Sequence, residues 1–560
     1  MILAFEFTYL SHNGVLEHLL NEICLDYKIE YRIVRDEMRV TLYVQEEEER
    51  LGLFADFIAQ KLPLSLFFKS STVYVADIFP DTKQVLPLLT VYPSFTPKAL
   101  ESIETQTSEK YLSPYPNFVM GQDELTLVEN TKKGFCASTS DALEHLFINV
   151  VNAISEGKKV YLRTLSGEFV IGNIENAAAI TAMEGVEIIP TDLSVVEKMV
   201  VIRENEVKAL ASLERPSIRF KVNAVFASKK ILKSERVFMR LADEWLLHHL
   251  CKRLFRYAIP FIFKAPASLL EADVSIETSC LLEQSSALSV CVLENGEIIL
   301  LKGERYASRI VLENRKRFDE ASHAAYASIL QEHHLFSANS SCFYLSMHHD
   351  DRFMSYSQEN EMLNLTSFSF PTSFETLFLE IAQSSKSASR LLENYKEAFP
   401  DLIQNVLMQE IPQNAPKNIY TLWSIASVLL GFTDRLSNGA QTLVTLAEDF
   451  GGQKGPRMDY FLEKEETLVS NFDYVRLFRS GISFKLAGTD DATLSFGYMQ
   501  SLAYFLSDTM DYYKENLLTK ECTLAGSLFG YRRLSEMVYK NIKPNHTICF
   551  NRELPIDTEH

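Results

Sequence analysis

Small residues between a predicted strand and a predicted helix form the first candidate for ligand chemistry in this sequence. The segment 524–530 reads LAGSLFG and leads into the helical pattern YRRLSEMVYKN. Backbone amides at the start of a helix bind phosphate, and small residues such as Gly526 and Ser527 let an anion approach closely. The segment lacks the lysine and the Ser/Thr of a Walker loop, so the sequence favours a tight strand-to-helix turn over a phosphate site.

A second turn of small residues follows the predicted strand KKVYLRT. It consists of Leu165, Ser166 and Gly167, and the strand before it carries Arg163. An arginine can hold a phosphate or carboxylate through two parallel hydrogen bonds, so this turn is a second candidate for anion binding. The same residues also suit an ordinary tight turn, and the sequence leaves both interpretations open.

The histidines give a weaker signal for a metal site. Three adjacent pairs occur, but neighbouring side chains on a helix point about 100° apart and cannot share one ion. None of the twelve histidines has the i, i+4 spacing of a chelating pair. The run His348-His349-Asp350-Asp351 can bind a metal only from a loop, and we interpret it instead as a solvated polar loop. The sequence therefore predicts no metal site.

Serines and cysteines provide no recognisable nucleophile. No serine lies in a GxSxG elbow. The eight cysteines are scattered, without the CxxC pair that indicates zinc or a redox motif. Scattered thiols in a long chain are usually reduced and buried. We therefore predict no catalytic residue from these motifs.

The first 80 residues carry the clearest structural signal. Alternating LAFEFTYL is followed by the helical pattern GVLEHLLNEICLDY, two strand-like runs, a second amphipathic helix and the strand SSTVYVADIF. This order, β-α-β-β-α-β, predicts a ferredoxin-like unit.

The rest of the chain is predicted to be mixed α/β and then mainly helical. Residues 81–135 contain many prolines and are predicted to be an irregular connector. From Asp141 a helix leads into KKVYLRT and GEFVIGN, which opens an α/β domain ending near Pro266. A hairpin with its turn at Glu294-Asn295-Gly296 follows. The tail after residue 520 predicts strand, turn, helix and strand.

Length and charge exclude several classes of function. The chain has 560 residues and a net charge of -19, without a long block of lysine and arginine. Such an acidic chain is unsuited to binding the phosphate backbone, so we predict no nucleic-acid partner. No apolar run reaches the length of a membrane span. We expect a cytoplasmic protein.

Several segments occur in the same order as in one known family. They are GKKVYLRTLSGEF, LASLERPSIRF, LLHHL, SIASVLLGF, LAGSLFGYRRL and LPID. With the ferredoxin-like start, they resemble the hydrogenase maturation carbamoyltransferases (HypF). The resemblance implies an acylphosphatase-like domain at 1–80, a connector at 81–138, a YrdC-like domain at 139–272 and a Kae1-like domain of the actin/sugar-kinase type at 273–560. That family makes carbamoyl-adenylate from ATP and carbamoyl phosphate, and carbamoylates a cysteine of a partner protein.

The sequence departs from the family where the chemistry is done. The acylphosphatase loop falls on residues 10–15, which contain no arginine. The zinc-binding cysteines of the connector fall on Thr96, Ala99, Phe118 and Gly121, which cannot bind zinc. The YrdC-like lysine falls on Arg163, and the Ser-Ala-Asn of the nucleotide pocket falls in residues 264–267. The second glycine of the Kae1-like phosphate loop becomes Ser527.

These losses predict a non-catalytic relative that keeps the architecture. ATP-dependent transfer needs cations, a metal or both to offset the phosphate charge. The resemblance then implies an accessory protein of hydrogenase maturation, of the HypF-like type called HydE. It would need no cofactor and would bind a hydrogenase subunit or another maturation factor. The alternative is an enzyme that still binds ATP or carbamoyl phosphate at a rearranged site. Its nucleotide-binding residues would be Arg163, Ser166, Gly167, Gly526, Ser527 and Asp557.

Overall fold

A computed structural model describes most of the chain. The described residues are 1–81, 85–89, 93, 95–97, 100, 125–129, 132–137, 140–164, 167–176, 185–277, 288–359, 361–464 and 469–557. Most of the predicted connector, with Ala99, Phe118 and Gly121, and also Ser166 lie outside these residues. The chain forms two compact units, residues 1–309 and 310–560. The finer boundaries at 80, 138 and 272 remain predictions.

The N-terminal segment forms the predicted β-α-β-β-α-β arrangement. Its elements are β1 (Ile2–Tyr9), α1 (Val15–Tyr27), β2 (Glu30–Asp36), β3 (Arg39–Gln45), α2 (Glu48–Lys61) and β4 (Phe68–Val75). The sheet is antiparallel, with strand order β2-β3-β1-β4. Phe5, Phe7 and Tyr9 alternate along β1 and are buried, because every second side chain of a strand points to the same face.

The remainder of residues 1–309 contains a mixed sheet of twelve strands. Its strands are β5 (Leu125–Glu129), β6 (Lys132–Ala137), β7 (Val160–Thr164), β8 (Gly167–Asn173), β9 (Glu187–Pro190), β10 (Val200–Val201), β11 (Ser217–Val222), β12 (Arg236–Met239), β13 (Phe261–Pro266), β14 (Val274–Glu277), β15 (Ser289–Val292) and β16 (Ile298–Lys302). The helices between them are α3 (Ser140–Ser155), α4 (Glu204–Leu210), α5 (Ala224–Ala227) and α6 (Trp245–Arg256). The predicted hairpin turn joins β15 to β16, and Gly296 adopts a φ of 84° there.

Residues 310–560 combine a five-stranded sheet and a small three-stranded sheet with a large set of helices. The helices are α7 (Arg309–Arg315), α8 (Ala321–Glu332), α9 (Phe374–Ser384), α10 (Lys386–Ala398), α11 (Pro400–Leu407), α12 (Ile419–Leu429), α13 (Gly439–Asp449), α14 (Tyr474–Leu486), α15 (Asp491–Leu517) and α16 (Arg532–Ile542). The strands are β17 (Ser340–Tyr344), β18 (Arg352–Ser357), β19 (Glu361–Asn364), β20 (Thr366–Ser367), β21 (Leu462–Lys464), β22 (Ser470–Phe472), β23 (Glu521–Ala525) and β24 (Thr547–Phe550). The predicted strand, turn, helix and strand after residue 520 are all present.

The topology of this unit brings three loops together. The sheet has the order β19-β18-β17-β23-β24, and β17, β23 and β24 run parallel. The carboxyl ends of parallel strands lie at the same edge of a sheet, where open α/β sheets commonly bind ligands. Several helices of the unit begin at side-chain caps, as Ser373, Asn418 and Asp490 show. Such caps fix where each helix starts and therefore where each loop ends.

Candidate functional site

Three loops at the edge of the five-stranded sheet form the candidate site. They are residues 345–351 after β17, 526–531 after β23 and 551–557 after β24. Together they bring Gly526, Ser527 and Asp557 into direct contact, which are three of the six residues predicted for a nucleotide site. We call this group of loops the three-loop cluster.

Gly526 holds two of these loops against each other. Its φ is 97°, and a Cβ atom at this position would lie 2.1 Å from the carbonyl oxygen of Leu345. The Gly526 amide donates to the carbonyl of Ile556 at 2.8 Å, and the Leu528 amide donates to that of Leu345 at 3.0 Å. Only glycine combines this backbone conformation with this close approach. The small residue therefore serves the packing of the loops.

The carboxylate of Asp557 lies at the centre of the three-loop cluster. Its Oδ2 accepts hydrogen bonds from the Ser527 amide at 3.1 Å, from Ser527 Oγ at 2.7 Å and from the hydroxyl of Ser346. Its Oδ1 accepts one from the Tyr344 hydroxyl at 2.5 Å. Asp557 is only 7% exposed. The amide at the start of the strand-to-helix turn is thus bonded to a carboxylate of the same chain.

The two serine hydroxyls connect further backbone amides to this carboxylate. Ser346 Oγ accepts hydrogen bonds from the amides of His348 at 2.9 Å and His349 at 3.0 Å. Ser527 Oγ accepts one from the amide of Met347 at 2.8 Å. Successive amides of this kind form a concave donor site that suits an anion. Here these three amides donate to the two serine hydroxyl oxygens, and both hydroxyls donate to the Asp557 carboxylate.

Asp351 corrects one interpretation of the sequence. The run 348–351 does lie in a loop, but Asp351 is fully buried rather than solvated. Its carboxylate accepts hydrogen bonds from the amides of Ser346 at 2.8 Å and Ile419 at 2.7 Å. Burial raises the pKa of Asp351 well above its usual range, and the nearby carboxylates of Asp557 and Asp350 raise it further. The prediction of a solvated loop is wrong for Asp351 because two backbone amides compensate its burial.

The histidines of this loop do not complete a metal site in the described part of the chain. His349 Nε2 lies 3.9 Å from Asp557 Oδ1. Among the residues that the structure describes, no three His, Cys, Asp or Glu side chains are arranged to hold one ion.

The other predicted anchors lie in residues 1–309. Arg163 belongs to β7 and pairs in register with Glu168 of β8, with Arg163 Nε 3.6 Å from Glu168 Oε1. Both side chains are nearly half exposed. Gly167 has a φ of 127°, and no atom lies within 4 Å of the position of an added Cβ. Arg163 lies next to the last pair of these two strands, Thr164 and Gly167, and Gly167 is required there for its backbone conformation.

An arginine that the sequence analysis did not consider reaches the loop 10–15. Arg35 comes from β2, and its Nη2 donates to the carbonyl oxygens of Ser11 at 2.5 Å and Tyr9 at 3.3 Å. Its Nη1 forms an ion pair with Glu17 at 2.8 Å. The guanidinium is therefore bonded to carbonyls and to a carboxylate at this loop. Arg35 lies 24 positions after Ser11, so no local motif connects the two residues.

A buried group of charges around β12 and β13 was also missed. Arg240 is 1% exposed and contacts Asp243 at 2.6 Å and Glu187 at 3.4 Å. Lys264 lies 3.1 Å from Asp243. Although burial opposes ionisation, Lys264 and Arg240 hold the pKa of Asp243 well below its usual range. Arg240 and Asp243 lie between β12 and α6 and not on a helix, so their spacing of three positions gave no signal in the sequence.

None of the helices in the described ranges is both long enough and apolar enough to cross a membrane.

The chain is similar to one characterised relative over nearly its whole length. Protein HydE of Wolinella succinogenes is 26% identical over 544 residues, which cover 94% of each chain. No known protein-family profile matches the chain.

Two solved structures share the fold. Full-length HypF in the phosphate- and nucleotide-bound form has a TM-score of 0.63 and 13% identity, covering 99% of this chain and 96% of that one. HypF from T. kodakarensis has a TM-score of 0.64 and 10% identity, with coverage of 98% and 96%. These similarities confirm the predicted resemblance and fold class. The chain is a multidomain α/β protein with the fold of HypF, which has acylphosphatase-like, YrdC-like and Kae1-like parts.

Proposed function

We propose that this protein is a non-catalytic accessory factor in the maturation or assembly of nickel–iron hydrogenase. It acts in the cytoplasm by binding a hydrogenase subunit or another maturation factor, and it needs neither a cofactor nor nucleic acid. Its similarity to Protein HydE and its HypF fold support a role in this process. A fold is retained more readily than the chemistry it once carried.

The observation that carries this proposal is the position of the Asp557 carboxylate. It is bonded to the Ser527 amide and to the hydroxyls of Ser346, Ser527 and Tyr344. These donors belong to the loops that resemble the phosphate side of the family's nucleotide site. A phosphate would have to displace a carboxylate whose charge has the same sign and then replace all of its hydrogen bonds. The arrangement therefore favours a scaffold without nucleotide chemistry at this site.

The middle part of the chain supports the same proposal. The cation that replaces the family's lysine, Arg163, is paired with Glu168. The cation that replaces the Ser-Ala-Asn segment, Lys264, is paired with Asp243. Both positive charges are offset by carboxylates of the same chain, which reduces their attraction for a phosphate.

A carbamoyltransferase-type enzyme is the competing candidate. In that case Arg163, Ser166, Gly167, Gly526, Ser527 and Asp557 would hold ATP or carbamoyl phosphate at a rearranged site. The observation that favours it is a pocket in residues 1–309 with three arginines in its lining. None of the described residues among these six anchors lines that pocket.

Calorimetric titration separates the two candidates. The purified full-length protein is titrated with ATP and with carbamoyl phosphate, each with and without magnesium, with an active HypF as the positive control for the ligands. We expect no heat of binding to this protein at millimolar ligand. Micromolar binding of either ligand would instead favour the enzyme.

A deletion strain tests the process itself. Removing the gene from its native host should impair hydrogenase activity, and the wild-type gene should restore it. Affinity purification from the complemented strain should recover a hydrogenase subunit or a maturation factor. Normal hydrogenase activity in the deletion strain would contradict the assignment to this process.

A further inference from the structure

The strand β4 forms one edge of the N-terminal sheet. In the order β2-β3-β1-β4 it pairs with β1, and no other strand of the described residues lies on its far side. Every residue from Lys69 to Val75 is exposed. The exposed fraction is 55% for Val73, 42% for Tyr74 and 62% for Val75. The backbone donors and acceptors along such an edge can pair with another strand.

The opposite edge of the same sheet has a different composition. The strand β2 has the sequence EYRIVRD, in which four of the seven side chains are charged. The segment 70–75 of β4 is SSTVYV and contains neither a charged residue nor a proline. Charged residues and prolines are the usual means by which sheet edges avoid pairing with other chains. By its sequence, β4 is therefore the unprotected edge of this sheet.

The ladder with β1 shows which backbone groups of β4 point outward. The Ala76 amide, at the end of this ladder, donates to the carbonyl of Ile2 at 3.0 Å. Neighbouring residues of an antiparallel strand direct their N–H and C=O groups to opposite sides. The groups of the even-numbered residues therefore point to β1. Those of Ser71, Val73 and Val75 point to the free edge.

The sequence of β4 is complementary to itself in the antiparallel direction. When two copies pair around a two-fold axis at Val73, Lys69 of each copy lies opposite Asp77 of the other, and Ser71 lies opposite Val75. The N–H and C=O groups of the two Val73 residues then face each other. Opposite charges across a strand pair stabilise it. Moving the axis by one residue in either direction places Lys69 opposite an uncharged residue, so the charges favour this register.

Both charges are accessible to a second copy. Asp77 is exposed and follows β4 directly. Lys69 Nζ lies 2.6 Å from Glu297, but the Lys69 side chain is still 47% exposed. An ammonium group has three donors. Lys69 can therefore bind Glu297 of its own chain and Asp77 of the second copy at the same time.

We propose that β4 is a dimerisation edge, at which two copies of this chain pair their β4 strands antiparallel around a two-fold axis at Val73. The occupant is a second copy, because the chain itself provides both the matching charges and the matching backbone groups. The contact uses the same surface of both copies, so it closes with two chains and does not extend into a fibre. The inference goes beyond the proposed function and does not depend on it.

Sedimentation equilibrium of the full-length protein tests this inference. The mass should approach twice the 63.9 kDa of one chain as the concentration rises from about 1 to about 100 μM. Val73→Pro removes the central donor of the edge and should weaken dimerisation at least about tenfold. A proline is tolerated at an edge position whose N–H faces solvent, so the variant should fold. Val73→Thr keeps the donor and the β-branched shape, and this matched control should change the affinity less than about threefold.

Exchange of the two charges tests the register. Asp77→Lys places two lysines opposite each other at both ends of the ladder, and it should weaken dimerisation about tenfold. Adding Lys69→Glu to this variant recreates both opposite-charge pairs, so the double variant should recover most of the wild-type affinity. Glu30→Lys changes an exposed acidic residue of β2 and is the control, with an affinity equal to that of the wild type.

Three results would overturn the inference. The first is a monomer, or an assembly larger than a dimer, throughout this range of concentration. The second is equal affinity of Val73→Pro and the wild type, since the contact would then lie elsewhere on the chain. The third is a double variant as weak as Asp77→Lys, which would exclude this register. If Val73→Pro does not fold by circular dichroism, the charge exchange decides. The hydrogenase activity of the deletion strain is a separate measurement, so failure of this inference leaves the proposed function intact.

Discussion

The three-loop cluster and the buried charges around β12 and β13 hold an aspartate in different ways. In the cluster, a backbone amide and three hydroxyls donate to Asp557, so the partners of this carboxylate are neutral groups. Around β12 and β13, the partners of Asp243 are the cations of Arg240 and Lys264. A buried charge without partners is costly. The difference teaches that loops resembling a ligand site can be closed by a carboxylate of the chain and neutral donors, whereas the buried carboxylate of the other region is paired with charges.

The largest expected effect comes from the contact that closes the three-loop cluster. Gly526→Ala would place a Cβ 2.1 Å from the Leu345 carbonyl oxygen, at a φ of 97°. We expect a loss of about 4 kcal/mol in the free energy of unfolding or failure to fold, because the clash is with backbone. Urea denaturation measures the change.

Gly488→Ala is the matched control for this variant. Gly488 has a φ of 80°, but an added Cβ has no neighbour within 4 Å. Gly488→Ala should therefore lower the free energy of unfolding only through the strain of its left-handed backbone conformation, by about 1 kcal/mol. Similar losses for the two variants would show that close packing is not the reason for the glycine at 526.

The second prediction concerns the internal anion. Asp557→Ala leaves the Ser527 amide and three hydroxyls without their acceptor. We therefore expect the free energy of unfolding to fall by about 3 kcal/mol. Formate supplies a carboxylate of suitable size, and millimolar formate should raise the melting temperature of this variant more than that of the wild type.

Asp508→Ala is the control for the Asp557 variant, because the Asp508 side chain is 70% exposed. The free energy of unfolding of Asp508→Ala should fall by less than about 0.5 kcal/mol, and formate should not raise its melting temperature more than that of the wild type. If Asp557→Ala is as stable as this control, the comparison between the two regions fails.

A third, smaller effect belongs to the unit that contains the pocket. Burial, together with the charges of Lys252 and Arg215, lowers the pKa of His248 to about 3. In the unfolded chain the pKa is about 6.5, so the unfolded state binds the proton first as the pH falls. The free energy of unfolding should therefore decrease from pH 6.5 towards pH 3, by about 1 kcal/mol per pH unit. His248→Gln should lessen this decrease, as measured by urea denaturation at pH 5 and pH 7.

His145→Gln is the control, since His145 is an exposed histidine in the same unit. It should leave the pH dependence as in the wild type. An unchanged acid slope in His248→Gln would mean that this histidine titrates alike in the folded and unfolded states.

The smallest expected effect lies on the alkaline side and belongs to the three-loop cluster. Glu332 accepts hydrogen bonds from the amides of Arg552, Glu553 and Leu554, in the loop that leads to Asp557. Burial, together with the negative charge of Glu553, raises the pKa of Glu332 to about 8. The folded state therefore keeps a proton that the unfolded state releases above about pH 4.5, and the free energy of unfolding should decrease as the pH rises to 8.

Glu332→Gln should reduce this alkaline decrease, by about 2 kcal/mol between pH 6 and pH 8. Glu397→Gln, an exposed glutamate of the same unit, is the control and should follow the wild type. Parallel pH profiles for Glu332→Gln and the wild type would show that the carboxyl is already ionised at pH 6. The readout is the slope with pH, so a constant loss from the substitution itself does not affect it.

Local sequence patterns predicted the elements well. The alternation of LAFEFTYL and the helical spacing after it correspond to β1 and α1, because the periods of strand and helix are properties of neighbouring residues. The LAGSLFG segment does lie between β23 and α16, as predicted. The preference for a tight turn over an open phosphate loop agrees with the contact between Gly526 and Leu345.

Partners of buried polar groups were not predictable in the same way. Asp557 meets Ser346, 211 positions away, and Arg35 reaches Ser11 from a different strand. Asp351 reads as an ordinary loop aspartate, yet it is buried between two amides. Such contacts depend on which strands become neighbours, and hydrophobic periodicity does not specify that.

By itself, the sequence determined the order of helices and strands, the acidic character of the chain and the resemblance to HypF. Those properties follow from local spacing, composition and short segments. Only the tertiary structure decided that Asp557 lies among the donors of the three loops and that Arg240 and Lys264 pair with Asp243. The reason is physical, because the cost of burying a charge depends on the groups that folding brings around it.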